Sequence, residues 1–416
     1  MITTTTPPFS PAKRTPAKRL KASVPRLPVT LPWHTPLPSG TNKRLGILLL
    51  NLGGPTSPES VKPFLYNLFA DNDIVQLPFP QWLQNLFAWR VSNKREHEAQ
   101  ENYGKLGGKS PILELTQAQA YAMMDRLHPL LNEQGWEHVE CVIGMRYWHP
   151  RCDEALRQLQ EARCTHLMIL PLYPQYCLGT IGSSMRELNG LMQRNDFAPW
   201  VKTLRVANSC SFYSHPAYIK SVVATIQKTL HESTFTCPKH EVLILFSAHG
   251  IPQKYAVKNN DPYPKQVKRT MANVMQALEE ANGFRNPDDV CWQSRVGPME
   301  WLRPYTEDKI DELIEQQRDN IIMVPISFVS DHIETLFEMD MLYVPQAIEG
   351  GLTHTYRAES LNTHPLFIEC LAIIVLQTLA TPDVCKIDFT APPPPLEKRG
   401  VCAMQTQITL PNTSND

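Results

Sequence analysis

Six short runs rich in Leu, Ile and Val constrain the fold of this 416-residue chain more than any other feature. The runs do not alternate apolar with polar residues, which is the pattern of a strand covered on both faces. Longer stretches with helical periodicity separate them, and this alternation predicts parallel sheets joined by right-handed crossovers. The predicted strands cover residues 45–52, 141–147, 166–172, 241–248, 290–294 and 320–328.

The predicted strands divide the chain into two blocks. Residues 45–212 and 213–345 contain three strands each, so we expect an α/β protein with two doubly wound, Rossmann-like halves and a cleft between them. We expect residues 346–380 to end in a helix that packs back on the core. The predicted helices cover residues 60–70, 112–131, 153–163, 183–194, 216–231, 264–282, 307–317 and 365–379.

The two ends differ in composition from the rest. Residues 1–44 contain nine Pro and eight Lys or Arg but no carboxylate, and residues 381–416 are Pro-rich and polar, so we expect both to be disordered. A basic, acid-free head resembles an organelle transit peptide, but its prolines oppose the amphipathic helix of such peptides. We therefore expect a cytoplasmic protein, with an organelle as the alternative.

Charge and cysteine usage exclude several classes of protein. A formal net charge of −1 argues against a nucleic-acid-binding surface. The ten cysteines contain no CxxC pair, which argues against a disulfide framework and a zinc site. The apolar runs are all far shorter than the roughly 20 residues that a membrane span needs.

Polar and Gly-rich segments follow five of the strands. Because the carboxyl ends of parallel strands meet at one edge of a sheet, we expect these segments to converge on one ligand site. Simpler readings remain open, because 51–55 lacks GxGxxG and suits a tight turn, and 331–334 has capping-box spacing. Ser183 begins a helix and either caps it or helps to bind an anion. The five segments are 51–55, 146–150, 173–184, 247–250 and 330–334.

His249 and two carboxylates are the strongest candidates for chemistry. His249 follows a buried strand, where the alternative is a core histidine, and Glu334 and Glu338 are spaced to share one helix face. Two facing carboxylates need a cation or shared protons, and an imidazole opposite them suits the passage of a divalent metal. Ser247 beside His249 lacks the geometry of a hydrolase triad. Aromatic residues near the strand ends favour a large planar ligand, unless they only fill the core; they are Tyr147, Trp148, Tyr173, Tyr176, Trp301 and Phe328.

These residues belong to blocks that resemble the ferrochelatases in order over about residues 45–380. The most specific are LFSAHGIP at 245–252 and ISFVSDHIETLFEMD at 326–340. The other blocks are LGILLLNLGGP, GKSPI, GMRYWHP, LYPQY, DPYP, WQSRVGPMEWL and RAESLN.

The resemblance implies a chelatase-like fold and a lyase that inserts Fe²⁺ into protoporphyrin IX with release of two protons, the last step of haem synthesis. It implies that His249 and Glu334 bind the metal, with Asp331, His332 and Glu338 beside them in the metal and proton path. It also assigns residues that hold and distort the macrocycle. These are Tyr147, Trp301 and Phe328, with Arg146 nearby and Lys105 where the family has an Arg for a propionate.

The chain departs from the animal-type members in its cysteines. Those members bind a two-iron sulfur cluster, whereas this tail offers only Cys385 and Cys402, and Leu178 stands at the internal ligand position. We therefore expect no iron–sulfur cluster and no tightly bound cofactor.

Alternatives to a protoporphyrin ferrochelatase are a chelatase for coproporphyrin III or another tetrapyrrole, and a porphyrin or haem carrier without catalysis. Residues 78–91 form an apolar segment that contacts a membrane, covers the ring, or packs as a helix on its own domain. The apolar segment favours protoporphyrin, because the alternative substrates carry more carboxylates and need more cations in the cleft.

Overall fold

Two four-stranded sheets, both entirely parallel, form the framework of the protein. The computed structural model describes residues 43–76, 80–209, 211–297 and 299–380. The strand order is β2-β1-β3-β4 in the first sheet and β6-β5-β7-β8 in the second. The strands are β1 (Arg44–Asn51), β2 (His138–Met145), β3 (His166–Pro171), β4 (Arg205–Asn208), β5 (Leu243–His249), β6 (Asp288–Gln293), β7 (Ile321–Pro325) and β8 (Thr355–Arg357).

Helices cover the sheets, and the expected two-half α/β fold is confirmed. The structure adds to the predicted elements the long helix α2, the short helices α6, α8 and α11, and two short edge strands, β4 and β8. The helices are α1 (Val61–Ala70), α2 (Gln81–Lys105), α3 (Ile112–Glu133), α4 (Cys152–Glu161), α5 (Ser183–Met192), α6 (Ala198–Val201), α7 (Pro216–Glu232), α8 (Gln253–Lys258), α9 (Tyr263–Asn282), α10 (Thr306–Glu315), α11 (Val344–Glu349) and α12 (Pro365–Ala380). Shorter 3₁₀ turns and two π-helices, Leu178–Gly182 and Glu334–Tyr343, complete the described part.

Burial explains why the strands lack alternation. Every residue of β1 after Arg44 is buried, and so is every residue of β7, because helices cover both faces of each sheet. Strands β4 and β8 are short edge strands, so neither shows a long apolar run. In the turn after β1, Gly53 adopts a φ of +85°, which supports the tight-turn reading of 51–55.

One apolar core joins the two halves. It includes Ile47 of β1, Ile244 of β5 and Leu371 of α12, all fully buried. Helix α12 packs against α3 and α7, so the chain end described here returns to the first half. Polar contacts also cross between the halves, since Gln175 Nε2 donates to the Ile326 carbonyl at 3.2 Å.

The predicted boundaries at residues 212 and 345 stay predictions, although β8, in the segment 346–380, forms the edge of the second sheet. Of the segments for which we predict disorder, 1–44 and 381–416, residues 1–42 and 381–416 lie outside the described residues. Arg44, the last residue of the predicted head, instead begins β1, because it pairs with His138 in the sheet. No helix in the described part of the chain is long and apolar enough to cross a bilayer.

Candidate active site

The candidate site lies where two strands of the second sheet end. His249 is the last residue of β5 and pairs with Gln293, the last residue of β6. Opposite them begins the π-helix Glu334–Tyr343, which carries Glu334 and Glu338. The fold therefore brings the His249 imidazole together with two carboxylates that follow it in the sequence by 85 or more residues.

His249 and Glu334 form a direct pair. His249 Nδ1 lies 2.7 Å from Glu334 Oε2. An ionised carboxylate only accepts hydrogen bonds, so we assign the proton of neutral His249 to Nδ1, which leaves the lone pair of Nε2 available. The His249 side chain is 38% exposed and that of Glu334 is 15% exposed, so the imidazole is the accessible member.

The pKa values of His249, Glu334 and Glu338 are shifted in different directions by burial and by their neighbours. Burial opposes protonation of His249, but the Glu334 carboxylate outweighs it and raises the pKa of His249. Burial also opposes ionisation of Glu334, yet His249 and His332 hold the pKa of Glu334 below its usual value. Burial and the neighbouring Glu334 raise the pKa of Glu338. The site thus contains an ionised carboxylate beside one that takes up a proton more readily.

Two residues that the sequence analysis missed hold Glu338 in place. Its Oε2 accepts hydrogen bonds from Ser294 Oγ at 2.6 Å and from Gln293 Nε2 at 3.2 Å. The buried Ser247 hydroxyl donates to Gln293 Oε1 at 2.6 Å, which fixes the orientation of that amide. The sequence feature that could have identified Gln293 is its position as a polar residue near the end of a predicted strand.

His332 and Asp331 take different positions. His332 is buried, its Nδ1 lies 3.0 Å from the Ser330 carbonyl, and its Nε2 lies 3.9 Å from Glu334 Oε2. Burial lowers the pKa of His332. Asp331 instead bonds to Ser360 and Asn362 in the segment after β8, at 2.7 and 2.8 Å. Glu334 bonds to His249, so the capping-box reading of 331–334 does not describe this side chain.

Aromatic rings flank the imidazole. The rings of Trp301 and Phe328 both lie 6.4 Å from that of His249, at interplanar angles of 73° and 83°. Trp301 Nε1 donates to the Val296 carbonyl at 3.1 Å, which ties the ring to its own loop. Tyr263, which the sequence analysis did not single out, donates its hydroxyl to the His249 carbonyl at 2.9 Å.

Arg146, Tyr147 and Ser183 form a separate cluster in the first half, centred on Asp71. Asp71 Oδ2 accepts from Arg146 Nη2 at 2.8 Å, from the Tyr147 hydroxyl at 2.7 Å and from Ser183 Oγ at 2.5 Å. Arg146 also lies 3.4 Å from Glu187. The guanidinium and the Ser183 hydroxyl therefore bind carboxylates of the chain itself, and Asp71 is a residue that sequence reasoning missed.

Lys105 ends α2 and is exposed beside the π-helix. Its Nζ lies 4.9 Å from the centre of the Phe337 ring. Two residues before it, Tyr103 is buried, and burial together with Glu334 and Glu338 raises the pKa of Tyr103. In the described ranges, no group of three or more His, Cys, Asp or Glu side chains is arranged to hold a metal ion.

Comparisons with known proteins agree with the resemblance seen in the sequence. The family model described as Ferrochelatase matches residues 44–379. A protein named ferrochelatase from Gloeothece citriformis is 42% identical over 84% of this chain and 86% of its own length. One of the same name from a Cyanothece species is 44% identical over 82% and 84%. Among solved structures, SirB from Bacillus subtilis with Fe³⁺ covers 81% of this chain and 96% of its own, at 13% identity and a TM-score of 0.46.

Proposed function

Because the chain belongs to the ferrochelatase family and so inserts ferrous iron into a porphyrin to make haem, we propose that His249 and Glu334 perform the metal and proton steps. The observation that carries this proposal is the 2.7 Å contact between His249 Nδ1 and Glu334 Oε2. It leaves His249 Nε2 as a lone pair in an accessible position at the carboxyl end of a parallel strand.

The same pair suits both parts of the reaction. Neutral imidazole is a ligand for borderline cations such as Fe²⁺ and a general base near cellular pH. Accepting a pyrrole proton turns His249 into an imidazolium, which the adjacent Glu334 carboxylate stabilises. The raised pKa of Glu338 makes it the next proton acceptor. Gln293 Nε2 donates to the Glu334 backbone carbonyl and to Glu338 Oε2, which holds the two residues in fixed positions relative to each other.

We assign the macrocycle to the space beside Trp301 and Phe328. Edge-on packing of both rings around His249 supports apolar contact with a flat ligand on either side of the imidazole. Contacts that bend the ring would expose nitrogen lone pairs, and binding energy can supply strain of a few kcal/mol. Lys105 would hold a propionate as a point charge, whereas Arg146 is already paired with Asp71 and Glu187.

We propose protoporphyrin IX as the ring, because these side chains offer mainly apolar surface. The test mixes purified protein with Fe²⁺ and either protoporphyrin IX or coproporphyrin III without oxygen and follows haem formation by absorbance. Faster insertion into protoporphyrin supports the proposal, and faster insertion into coproporphyrin overturns the choice of ring. Tight porphyrin binding without insertion into either ring would indicate a carrier.

Glu334→Gln tests the role of the carboxylate. The amide keeps the shape but stabilises an imidazolium poorly, so kcat should fall by about 10²-fold or more. Glu279→Gln is a matched control, because Glu279 lies in the same half in an exposed ion pair with Arg285 at 3.1 Å. Unchanged activity in the Glu334 variant would remove Glu334 from the mechanism.

We also propose that α2 contacts a membrane surface. Trp82, Leu86 and Trp89 lie on one face of α2 and are 66%, 48% and 56% exposed, while Gln84 and Ala88 on another face are buried. Residues 78 and 79 of the predicted apolar segment lie outside the described residues. Double replacement of Trp82 and Trp89 by Ser should reduce co-sedimentation with phospholipid vesicles. Leu130→Ser, at another exposed apolar residue, is the control, and equal loss in both proteins would contradict the assignment.

We propose that no iron–sulfur cluster is resident. Leu178 occupies the internal ligand position, and burial with the adjacent Asp261 raises the pKa of the Cys177 thiol, which disfavours the thiolate that a cluster needs. Cys210, Cys385 and Cys402 lie outside the described residues. Iron and acid-labile sulfide should both be near zero in protein purified without oxygen, and equal amounts of the two would overturn the proposal.

We propose a cytoplasmic location, with an organelle as the alternative, because nine prolines in residues 1–44 are unlike the composition of an organelle transit peptide.

A further inference from the structure

The helix that carries both glutamates has an unusual form. Glu334–Tyr343 is a π-helix of ten residues, and the backbone N–H of Val344 bonds to the Met339 carbonyl, five residues back. Such helices occur mostly as single turns inside α-helices, often at functional sites. A run of this length therefore needs tertiary contacts that hold it.

Arg357 of β8 supplies such contacts. Its Nε and Nη2 donate to the two oxygens of Asp340, within the π-helix, at 2.6 and 2.9 Å. Its Nη1 donates to Asp331 Oδ1, ahead of the same helix, at 3.2 Å. The guanidinium is only 10% exposed. One side chain thus ties together two positions nine residues apart that flank Glu334 and Glu338.

Asp331 is fully engaged in the same arrangement. Its Oδ1 accepts from Thr335 Oγ1, from Ser360 Oγ and from Arg357, and its Oδ2 accepts from Asn362 Nδ2 at 2.8 Å. Thr335 Oγ1 in turn accepts from the His332 backbone N–H at 3.1 Å. The carboxylate is the anchor on which the start of the helix and the segment after β8 meet.

We propose that Arg357 is a positioning residue for iron insertion: its bridge between Asp331 and Asp340 holds the π-helix so that Glu334 and Glu338 face His249. Asp331 acts as the fixed end of this bridge rather than as a proton relay. This inference rests on the proposed function for its kinetic readout. It also assigns a role to the RAESLN block at 357–362, which the sequence analysis matched without explaining.

The first test is Arg357→Gln, with amide hydrogen exchange measured beside activity. Exchange should increase across residues 334–343 while β5 stays protected, because the bridge acts locally. In the same variant kcat should fall by about 10- to 100-fold, the cost of a misplacement near 1 Å, while KM for the porphyrin changes little. Arg357→Lys should restore only part of kcat, because an ammonium cannot form the two-oxygen contact with Asp340.

Lys309→Met is the matched control. Lys309 is also 10% exposed and bridges two carboxylates of the second half, Asp289 at 2.6 Å and Glu312 at 3.0 Å. Losing that bridge should lower stability but leave kcat and exchange across 334–343 unchanged. Asp340→Asn provides a milder variant should Arg357→Gln fail to fold, since Asp340 is 37% exposed.

Asp331→Asn tests whether Asp331 holds Arg357 in place or passes protons. If Asp331 acts through Arg357, the combined loss of kcat in the double variant with Arg357→Gln should be smaller than the product of the single losses. Independent, multiplicative losses would overturn the anchor role. Unchanged exchange across 334–343 in Arg357→Gln would overturn the bridge itself. Absence of iron insertion by the wild type would instead contradict the proposed function, and the exchange result would still stand.

Discussion

The central strands of the two sheets end in opposite chemical situations. Asn51 ends β1 and His249 ends β5, and the two sheets have equivalent strand orders. Both ends of the Asn51 amide have hydrogen-bond partners within the protein. Its Nδ2 donates to Thr116 Oγ1 at 3.0 Å, and its Oδ1 accepts from the Leu52 backbone N–H at 2.8 Å. Within the described residues, the His249 imidazole has one hydrogen-bond partner, Glu334, and the side chain is 38% exposed.

The surrounding charges differ in the same way. In the first half, Asp71 is matched by Arg146, so the cluster is neutralised internally. In the second half, Glu334 and Glu338 face each other, with His249 as the partner of one of them. A saturated cluster stabilises a fold, whereas an unsaturated one can exchange protons and bind a cation. Equivalent positions in equivalent sheets thus carry a fully bonded amide in one half and the proposed catalytic imidazole in the other.

The largest expected effect contrasts the two strand ends. His249→Ala should lower kcat by about 10²- to 10⁴-fold, the usual worth of a general base. Asn51→Ala should instead keep kcat and lower the free energy of unfolding by about 1–3 kcal/mol, because the Thr116 hydroxyl and the Leu52 amide lose a partner. Haem formation and urea unfolding of both variants measure this, and a catalytic loss in the Asn51 variant would break the comparison.

The next effect concerns the neutralised cluster. Asp71→Asn leaves Arg146, 17% exposed, without its main partner, so the free energy of unfolding should fall by about 3 kcal/mol. Asp196→Asn, in a more exposed pair with Arg194, should lower the free energy of unfolding much less, because solvent screens that pair. Urea unfolding midpoints compare the two, and equal losses would show that burial of the cluster contributes nothing.

An effect of intermediate size is the dependence of stability on pH that His332, beside the candidate site, should produce. Burial lowers the pKa of His332, so below about pH 6.5 the unfolded chain takes up a proton that the folded chain does not. This contribution to stability is present above that pH and is lost as pH falls towards the folded-state pKa. Unfolding measured at about pH 7.5 and about pH 5.5 should show a smaller acid loss in His332→Gln than in the wild type. A steeper loss would reverse the assigned direction.

The smallest expected effect concerns Lys105. An exposed ion pair with a propionate is worth up to about 1 kcal/mol, so Lys105→Gln should raise KM for the porphyrin by about two- to fivefold without changing kcat. Lys94→Gln, at another exposed position of α2, should leave KM unchanged. Steady-state kinetics with protoporphyrin compare them, and equal KM values in both variants would exclude Lys105 as a propionate ligand.

Much of this arrangement could be predicted from the sequence. Five of the predicted strands are buried along nearly their whole length, so their Leu, Ile and Val content marks them; these are β1, β2, β3, β5 and β7. In β6 only the last three residues are buried. His249 stood out because it follows such a strand. Helix α2 was missed beyond its apolar beginning, because its later residues are mostly polar, and β4 and β8 are too short to produce a pattern.

The sequence by itself determined the fold class and the family, and it indicated the edge of the sheet at which we propose the chemistry, since these depend on local apolar runs and on contiguous motifs. Only the tertiary structure decided which polar residues meet. It paired His249 with Glu334 and Arg146 with Asp71, and it placed Asp331 in hydrogen-bond contact with Arg357. The physical reason is that a side chain's role depends on the charges and donors packed against it, and those come from distant parts of the chain.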